Sequence, residues 1–419
     1  MALEVEISNS KLTLNNILFS QSEILGEGGS GIVYKETINN EIFAVKIYSD
    51  FSKFEFDKIQ YMVNNKPINL FEDFGNIKLA NFSWPLYLVK SKNEYIGYVT
   101  PYIHSNESYS LEYFYDYNLS KLLSIKDRVA LTHRRDLIIN ICKLIESLHS
   151  LGHYFIDIKP QNIRVYEKNM KVSLLDCDGY SILNSSENIR YDATMVSTDY
   201  ISPELQKSDL SASYMNQEQD NYALSVIIFQ ILNYGIHPYQ GILSTKNFEN
   251  TTNDEKGSFY LYPYGLLSDK RIDPLKQSVH ETFLDETRFL FDRAFMPNNT
   301  RPNATEWKEH FEKIESNFLI TKCKAYPNDY LHLTFKDKEC PACKRLLSKS
   351  ALLSVKKYQK SDPNQNKPIF KDFNNSTNIN YNSNNSNIST NTVWDTVGNI
   401  IMYFFGILSL FLLLMIFAR

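Results

Sequence analysis

The glycine-rich segment LGEGGSG, taken with the residues directly after it, constrains the fold of this chain more than any other feature. Gly26, Gly28 and Gly31 stand at GxGxxG spacing, in which missing side chains let backbone amides approach a polyphosphate. In dinucleotide-binding folds a helix comes directly after such glycines. Here the glycines precede two runs rich in β-branched and aromatic residues, Ile32–Thr37 and Glu41–Tyr48. The sequence therefore predicts a β-hairpin at the glycines and argues against a dinucleotide-binding fold.

Lys46 stands in the second run, directly after the apolar residues Phe43, Ala44 and Val45. An ammonium group that points inward from such a strand needs anionic partners, because an unpaired buried charge is costly. Nucleotide phosphates would supply that negative charge. The alternative interpretation is that Lys46 is a surface residue on an edge strand and needs no such partner. Together with the glycines, Lys46 indicates a site for a polyphosphate.

A second group of polar residues comes after the segment Arg135–His149, whose apolar residues recur at the spacing of an amphipathic helix. The loop after this helix contains Asp157, Lys159 and Asn162, and Pro160 prevents the helix from continuing through it. A surface turn seldom requires a carboxylate, a cation and an amide so close together. This loop is therefore the candidate catalytic segment.

Two carboxylates, Asp176 and Asp178, come after the apolar run Val172–Leu175, which is predicted to be a strand. Carboxylate oxygens are hard ligands of the kind that Mg²⁺ prefers. The end of this strand is therefore a candidate magnesium site.

These motifs, taken in their order, resemble those of the eukaryotic-like serine/threonine protein kinase superfamily, and the resemblance covers about residues 25–315. It implies an α+β, two-lobed protein kinase-like fold over residues 22–318. A small β-rich N-lobe would span about 22–100, and a larger helical C-lobe would span about 103–318. Residues 1–21 would form an N-terminal segment.

The resemblance also implies a role for each matching residue. Asp157 would be the catalytic carboxylate that accepts the proton of a substrate hydroxyl, and Lys159 would stabilise the charge in transit. Asn162 and Asp176 would hold Mg²⁺. Glu55 is assigned as the glutamate that pairs with Lys46. The ATP-binding residues implied by the resemblance are Gly26, Gly28, Gly31, Val33, Ala44, Lys46, Glu55, Asn162 and Asp176.

Two motifs depart from the family pattern. Phe155 and Ile156 replace the His-Arg pair before the catalytic aspartate, which removes the cation that reads a phosphorylated activation loop. Asp-Phe-Gly becomes Asp176, Cys177 and Asp178, and Asp178 either contacts the metal or faces solvent. These departures leave two hypotheses, an active membrane-anchored serine/threonine kinase and a pseudokinase that binds nucleotide or a partner as a membrane scaffold.

Further matches concern the architecture of the larger lobe. The segment 202–204 reads Ser-Pro-Glu where the family has Ala-Pro-Glu, which argues against a third hypothesis, a small-molecule phosphotransferase. Arg301 stands where an arginine pairs with Glu204. Asp220 precedes an apolar helix predicted from Tyr222 to Leu232, and it either caps that helix or has another structural role.

A cysteine and histidine cluster lies in residues 319–350. Cys323, His332, Cys340 and Cys343 have the spacing C-x8-H-x7-C-x2-C, and three thiolates with one imidazole complete a tetrahedral zinc site without an open position. A site of this kind is structural. The alternatives are a redox CxxC pair and ordinary reduced cysteines.

The carboxyl-terminal end predicts a membrane anchor. Residues 351–396 are rich in Asn and Ser, which is typical of a flexible linker. Within the predicted anchor 397–419, the 19 residues 400–418 carry no charge, and as a helix they would span about 28 Å, close to the thickness of a hydrocarbon core. The lipid bilayer is thus a predicted partner.

The remaining expectations concern location and partners. With 44 basic and 48 acidic residues the net charge is −4, so no partnership with nucleic acid is expected. The sequence predicts a single-pass, tail-anchored membrane protein. We expect its catalytic domain in the cytoplasm, because it would use ATP and because its five scattered cysteines suit a reducing compartment. The protein substrate is not identified by the sequence.

Overall fold

The structure, a computed structural model, describes part of the chain. All of its described residues belong to one compact unit, Met1–Lys360. The predicted linker 351–396 and membrane anchor 397–419 lie outside the described residues. None of the helices that are described combines the length and the apolar character needed to cross a membrane. The described ranges are 5–7, 22–38, 40–74, 77–91, 94–116, 118–124, 129–206, 212–244, 252–267 and 269–347.

The amino-terminal part is built around a six-stranded antiparallel sheet and one helix, α1 (Phe56–Asn64). The strand order in the sheet is β1-β7-β8-β4-β3-β2, and β5 and β6 form a separate antiparallel pair. This arrangement agrees with the predicted β-rich small lobe. The strands are β1 (Val5–Ile7), β2 (Glu23–Gly28), β3 (Gly31–Ile38), β4 (Glu41–Tyr48), β5 (Phe71–Phe74), β6 (Ile77–Ala80), β7 (Tyr87–Ser91) and β8 (Glu94–Pro101).

The predicted hairpin is confirmed, because β3 and β4 pair in antiparallel register from Gly31 opposite Tyr48 to Ile38 opposite Glu41. Asn40 turns the chain between the strands with a φ of 67°, a conformation that asparagine tolerates better than most residues. The register places Val33 opposite Lys46. Lys46 is therefore on an interior strand, since β4 pairs with β8 on its other side.

The rest of the described chain is mainly helical, with short strand pairs between the helices. The helices are α2 (Leu131–Ser150), α3 (Pro203–Gln206), α4 (Gln217–Leu232), α5 (Asn253–Ser258), α6 (Asp285–Phe295) and α7 (Ala304–Ser316). The strands are β9 (Ser108–Ser110), β10 (Ile163–Tyr166), β11 (Val172–Leu174), β12 (Ile182–Asn184), β13 (Ile189–Tyr191), β14 (Gly241–Leu243), β15 (Ile272–Pro274), β16 (Ile320–Lys322) and β17 (Leu333–Phe335).

Helix α4 forms the centre of this helical part, because its side chains from Gln219 to Leu232 are buried all around the helix. Phe229 packs against the rings of Phe291 and Tyr264 at centroid distances of 5.0 and 5.1 Å. Helix α2 packs on α4 and α7. A helix that is apolar on every side must be surrounded by protein, as the sequence predicted.

The structure tests two predictions about the helical part, the pairing of Arg301 with Glu204 and the role of Asp220. Arg301 contacts Glu204 through both ends of its guanidinium, and the distance from Nη2 to Oε2 is 2.9 Å. That predicted pair is confirmed. The interpretation of Asp220 as a helix cap is wrong, because α4 begins at Gln217 and Asn216 is the residue that caps it.

The Cys/His segment packs on the helical part. Phe335 of β17 is 1% exposed and belongs to the main hydrophobic core. Lys338 Nζ lies 2.7 Å from Asp285 Oδ1, and the guanidinium carbon of Arg345 lies 4.0 Å from the ring centroid of Tyr234. The segment is therefore joined to the helical part by apolar, ionic and cation–π contacts.

Candidate active site

A cleft with a volume of about 280 Å³ is lined by strands of the sheet and by residues around β10 and β11. Five of the predicted ATP-binding residues line it, namely Gly26, Val33, Ala44, Lys46 and Asp176. Tyr98, Thr100 and Pro101 of β8 contribute to the same cleft. Its mixture of apolar walls and a few charged groups is typical of a site for a small ligand.

The three predicted glycines differ in their surroundings. A Cβ added to Gly26 or Gly28 would meet no atom within 4 Å, so the backbone there is open to an approaching ligand. A Cβ on Gly31 would lie 2.1 Å from the carbonyl oxygen of Ile47. Gly31 is therefore required by the close approach of β3 and β4.

Lys46 pairs with Asp178 at the inner end of the cleft. The distance between Lys46 Nζ and Asp178 Oδ2 is 2.7 Å, and the Tyr48 hydroxyl donates to the same oxygen at 2.7 Å. Burial by itself lowers the pKa of Lys46, but the charges of Asp178 and Asp176 outweigh it and the pKa is raised. Burial raises the pKa of Asp178, but Lys46 and Tyr48 reverse this and the pKa is lowered. Both groups are therefore charged at neutral pH.

A sharp turn directs the two carboxylates to different environments. Asp176 has a φ of 53°, in the left-handed region, and a 3₁₀ turn over Cys177–Gly179 comes directly after it. Asp176 is exposed to the cleft, whereas Asp178 is buried. Surrounding protein removes water from Asp176 and raises its pKa, Lys46 opposes this rise, and Asp178 adds to it. Of the two predicted environments for Asp178, exposure to solvent is wrong.

The predicted catalytic loop forms one connected polar cluster. Lys159 Nζ lies 2.7 Å from Asp157 Oδ2, and Asn162 Nδ2 donates to that oxygen at 3.1 Å. The backbone N–H of Ser197 donates to Asp157 Oδ1 at 2.8 Å, and Lys159 donates to the Ser197 hydroxyl at 3.0 Å. The backbone N–H of Leu175, which lines the cleft directly before Asp176, donates to the carbonyl oxygen of Asn162 in this loop at 2.9 Å. The loop and the cleft are therefore parts of one site.

Comparison with known proteins agrees with this geometry. The family model of the protein kinase domain matches residues 19–311. This chain belongs to the protein kinase domain family. The kinase domain accounts for the hairpin, the cleft and the catalytic loop, and the Cys/His cluster lies beyond its matched end.

Several curated protein kinases are similar to the chain. Protein kinase YegI of Escherichia coli O157:H7 is 25% identical over 333 residues, which are 76% of this chain and 48% of that protein. The probable serine/threonine-protein kinase CPE1738 of Clostridium perfringens is 26% identical over 235 residues, 54% of this chain and 31% of that protein. Rho-associated protein kinase 1 of Homo sapiens is 22% identical over 214 residues, 50% of this chain and 14% of that protein. The chain thus spans less than half the length of each relative.

The structure does not bring Glu55 to Lys46. Glu55 is the residue before the first turn of α1, and its carboxylate lies 3.1 Å from Lys58 Nζ in the same helix. Lys58 is fully buried and also donates to the backbone oxygen of Asp192 at 2.9 Å. The assignment of Glu55 as the partner of Lys46 is therefore corrected, because the carboxylate that contacts Lys46 is that of Asp178.

Sequence reasoning missed several residues of the kinase site. Tyr48 and Ser197 reach it through contacts between distant parts of the chain, and no local pattern marks them. Gly97 of β8 is also essential to the geometry, since a Cβ there would lie 2.0 Å from the carbonyl oxygen of Lys46. An isolated glycine inside a strand pattern was the available signal for a close backbone approach.

The four residues of the Cys/His cluster come together as predicted. Their ligand atoms all lie within 4.8 Å of one another. The Cys323 and Cys343 sulfurs are 3.7 Å apart, and His332 Nδ1 lies 3.3 Å from the Cys343 sulfur. Ligand atoms around a tetrahedral zinc ion are separated by about 3.5 to 3.8 Å, given the usual metal–ligand distances. The donor set and its spacing therefore fit zinc.

Proposed function

We propose that the chain is an ATP-dependent protein serine/threonine kinase that transfers the γ-phosphoryl group of ATP to protein hydroxyls. The single observation that carries the proposal is the arrangement of Lys46, Asp176 and Asp157. The first two line a nucleotide-sized cleft, and Asp157 lies on a loop whose Asn162 carbonyl accepts from the N–H of Leu175, the residue before Asp176, at 2.9 Å. Phosphoryl transfer depends mainly on positioning and on charge neutralisation. These residues supply both.

In this proposal the nucleotide occupies the cleft between the sheet and the catalytic loop. Gly26 and Gly28 leave open backbone beside the phosphates, and Val33 and Ala44 provide apolar contacts for the base. Lys46 binds the phosphates. Glu55 has no contact with Lys46 among the residues described, so we assign it no part in binding ATP.

Asp157 accepts the proton of the acceptor hydroxyl as that oxygen attacks the γ-phosphorus. The bond between the γ-phosphorus and the oxygen that bridges to the β-phosphate breaks, and ADP leaves with that oxygen. Lys159, 2.7 Å from Asp157, balances negative charge during the transfer. Ser197 fixes Asp157 and Lys159 relative to each other.

Asn162 and Asp176 are the residues that would hold Mg²⁺. The Asp176 carboxylate opens to the cleft, and the amide nitrogen of Asn162 donates to Asp157, so that the amide oxygen is the atom left for a cation. Oxygen donors of these types fit a magnesium ion. Bound Mg²⁺ supplies neutralisation of charge on the phosphates.

We further propose that Cys323, His332, Cys340 and Cys343 bind a structural zinc ion. All four protein ligands are present, which leaves no open position for catalysis. His332 Nε2 lies 3.9 Å from Asp329 Oδ2, so a carboxylate faces the ring nitrogen opposite the proposed ligand atom. Such an outer contact commonly orients a metal-binding histidine.

The sequence supports a tail anchor that attaches the kinase to a membrane with its catalytic domain in the cytoplasm. The support is the uncharged segment 400–418, which is long enough to span a bilayer. Fractionation of cells that express the full chain or a version ending at residue 396 tests this proposal. The full chain is expected in the membrane fraction and the shortened chain outside it, and equal distribution would refute the anchor.

A phosphotransfer assay tests the kinase proposal. The purified full chain is incubated with Mg²⁺, γ-labelled ATP and a generic acceptor protein, in parallel with Asp157→Asn, which removes the proton acceptor while keeping the side-chain shape. Label is expected on the acceptor with the unaltered chain and is expected to fall about a thousandfold with the variant. Nucleotide binding without transfer by the unaltered chain would favour the pseudokinase hypothesis instead.

A further inference from the structure

Helix α1 does not offer a carboxylate to Lys46. Its buried residues are Lys58, Ile59 and Met62, and the acidic residue in its first turn, Asp57, is exposed. The inward cation Lys58 takes the carboxylate of Glu55 for itself. A lysine in the cleft wall must be held by an anion if it is to meet phosphates in one position, because its long side chain is otherwise free to rotate.

Asp178 satisfies this requirement from the buried turn Cys177–Gly179 that comes after β11. The side chains of Lys46 and Asp178 are only 11% and 10% exposed, and their charged atoms are 2.7 Å apart. Tyr48 OH donates to the same Asp178 oxygen at 2.7 Å. The Tyr98 ring lies 5.9 Å from Lys46 Nζ. These neighbours keep water away from the pair, which strengthens it electrostatically.

The backbone explains why Asp178 and not Asp176 faces Lys46 from within the protein. The left-handed conformation of Asp176 leads into a tight turn in which Gly179 N–H donates to the Asp176 carbonyl at 2.9 Å. Cys177 is buried beneath this turn. The two carboxylates therefore point in different directions. That of Asp176 faces the open cleft, and that of Asp178 contacts Lys46.

We infer that Asp178 is the positioning residue for Lys46, in place of a glutamate from helix α1. The inference deepens the proposed kinase function and rests on it. Asp178 acts through Lys46 by fixing the ammonium where the phosphates bind. It thereby couples the turn after β11 directly to the sheet, so that the lysine is placed by the same segment that carries Asp176.

A competing assignment is a direct metal contact through the second carboxylate oxygen. Asp178 Oδ1 is buried and has no hydrogen-bond partner within the described part of the chain. A metal contact would make the contribution of Asp178 independent of Lys46, whereas a positioning role makes it depend on Lys46. The two assignments therefore predict different results when both residues are changed together.

The test is a double-mutant cycle on the full chain with Lys46→Met, Asp178→Asn and the combination, measuring kcat and KM for ATP. Asp178→Asn is expected to lower kcat/KM about a hundredfold, as a misplaced catalytic group does. The double variant is expected to be no worse than Lys46→Met by more than about threefold, because residues that act as a unit are not additive. Asp73→Asn, a matched change on exposed strand β5, is expected to stay within about twofold of the unaltered chain.

A second measurement does not depend on activity. The Lys46 ammonium is titrated through the ¹³C NMR signal of its Cε atom in the nucleotide-free chain labelled with ¹³C-lysine, with its signal assigned by loss in Lys46→Arg. The charged and titratable groups facing Lys46 are Asp178, Asp176, Cys177, Tyr48 and Tyr98. The pKa of Lys46 is expected to fall in Asp178→Asn, since the nearest anion is lost while burial remains.

Each result bears on a different claim. Multiplicative losses in the cycle, or an unchanged titration of Lys46, would overturn the positioning role while leaving kinase activity intact. No transfer by the unaltered, folded chain would instead overturn the proposed function, and the titration would then decide the pairing alone. Melting temperatures of all variants separate these outcomes from simple unfolding.

Discussion

The buried carboxylate of Asp220 accepts a hydrogen bond of 2.6 Å from the backbone N–H of Ile156, the residue directly before Asp157. Ile156 has a φ of 65°, which is strongly disfavoured for a β-branched residue. The second oxygen of Asp220 accepts from Phe155 N–H at 2.7 Å and contacts His149 at 2.9 Å. Asp220 therefore holds a strained backbone in place beside Asp157, the proposed catalytic aspartate.

Asp220→Asn is expected to reduce the free energy of unfolding by about 2 to 4 kcal/mol, because an amide cannot satisfy the same backbone donors with both of its ends. Transfer activity is expected to fall at least about tenfold, since Asp157 comes directly after the strained residue. Urea unfolding and the phosphotransfer assay measure the two effects. The control is the true cap of α4: Asn216→Ala should cost about 1 kcal/mol and leave transfer unchanged. Equal behaviour of the two variants would contradict the holding role of Asp220.

Gly31→Ala is expected to destabilise the protein by about 1 to 3 kcal/mol, because its Cβ would overlap the backbone of β4 and force the strands apart. Gly29→Ala is the matched control in the same loop, since a Cβ there meets nothing within 4 Å. Its effect is expected to stay within about 0.5 kcal/mol. Urea unfolding of both variants checks the difference, and similar midpoints would show that strand packing does not require Gly31.

Ser197→Ala removes the hydroxyl that accepts from Lys159 but keeps the backbone N–H that donates to Asp157. Transfer is expected to fall about tenfold, because a hydrogen bond to a charged group is lost. Ser197→Thr keeps a hydroxyl and is expected to retain activity within about threefold. Steady-state kcat distinguishes the two, and a fully active alanine variant would remove Ser197 from the positioning of Lys159.

Stability is expected to decline as the pH falls from 6.5 to 4. Burial, with a further contribution from Arg190, lowers the pKa of His153 from 6.5 to about 4. Between these values the unfolded chain binds a proton that the folded chain does not, so stabilisation is complete above pH 6.5 and is lost toward pH 4. Burial lowers the pKa of His237, His280 and His310 to about 4 in the same way.

His153→Asn tests this origin, because the amide oxygen of asparagine can accept from Leu183 N–H as His153 Nδ1 does without titrating. Urea titrations give the free energy of unfolding at pH 7 and at pH 5. The loss between these two pH values is expected to be about 1 to 2 kcal/mol smaller in the variant than in the unaltered chain. An identical pH dependence would exclude His153 as a source.

Zinc removal is expected to lower the melting temperature of the whole kinase domain by about 5 °C or more, since structural zinc contributes directly to folding. The reason lies in Phe335 and Arg345, which connect the Cys/His segment to the helical part. Cys340→Ser should reproduce the effect of a chelator. Cys142 is a buried cysteine of α2 outside the cluster, so the control variant Cys142→Ala should retain zinc. Zinc content by atomic absorption and thermal unfolding provide the check. A melting temperature that does not respond to zinc loss would contradict the structural role.

Sequence patterns correctly predicted the hairpin, the long helices and the turn of the Cys/His cluster, because each depends on residues that are close together in the chain. The runs around Asn40 predicted the hairpin, because β-branched residues and a turn residue act over a few positions. Apolar periodicity predicted helix α2, and a continuous apolar run predicted α4, although α2 extends beyond its predicted bounds at both ends and α4 begins five residues earlier than predicted. The spacing of Cys340 and Cys343 marked the cluster, since both ends of a tight turn can meet one ion.

The choice of partners for charged groups could not be predicted in the same way. The nearest carboxylate to Lys46 along the chain among the candidates was Glu55, but the pair forms with Asp178, 132 positions away. Burial decides this outcome, because Lys58 is enclosed on the inner side of α1 and takes the carboxylate of Glu55. For Asp220 the sequence left a helix cap and another structural role open, and contacts distant in sequence decide for the latter, since its carboxylate accepts from Ile156 N–H.

The sequence by itself determined which residue types are available and in what order: glycines before a strand lysine, then a polar loop, then paired carboxylates, then a cluster of three cysteines and one histidine. The tertiary structure alone decided which of the two carboxylates faces the cleft and which lies under Lys46. The outcome depends on the left-handed backbone of Asp176 and on the joint burial of the Lys46 and Asp178 charges. Both arise from contacts between distant parts of the chain, so a short stretch of sequence does not reveal them.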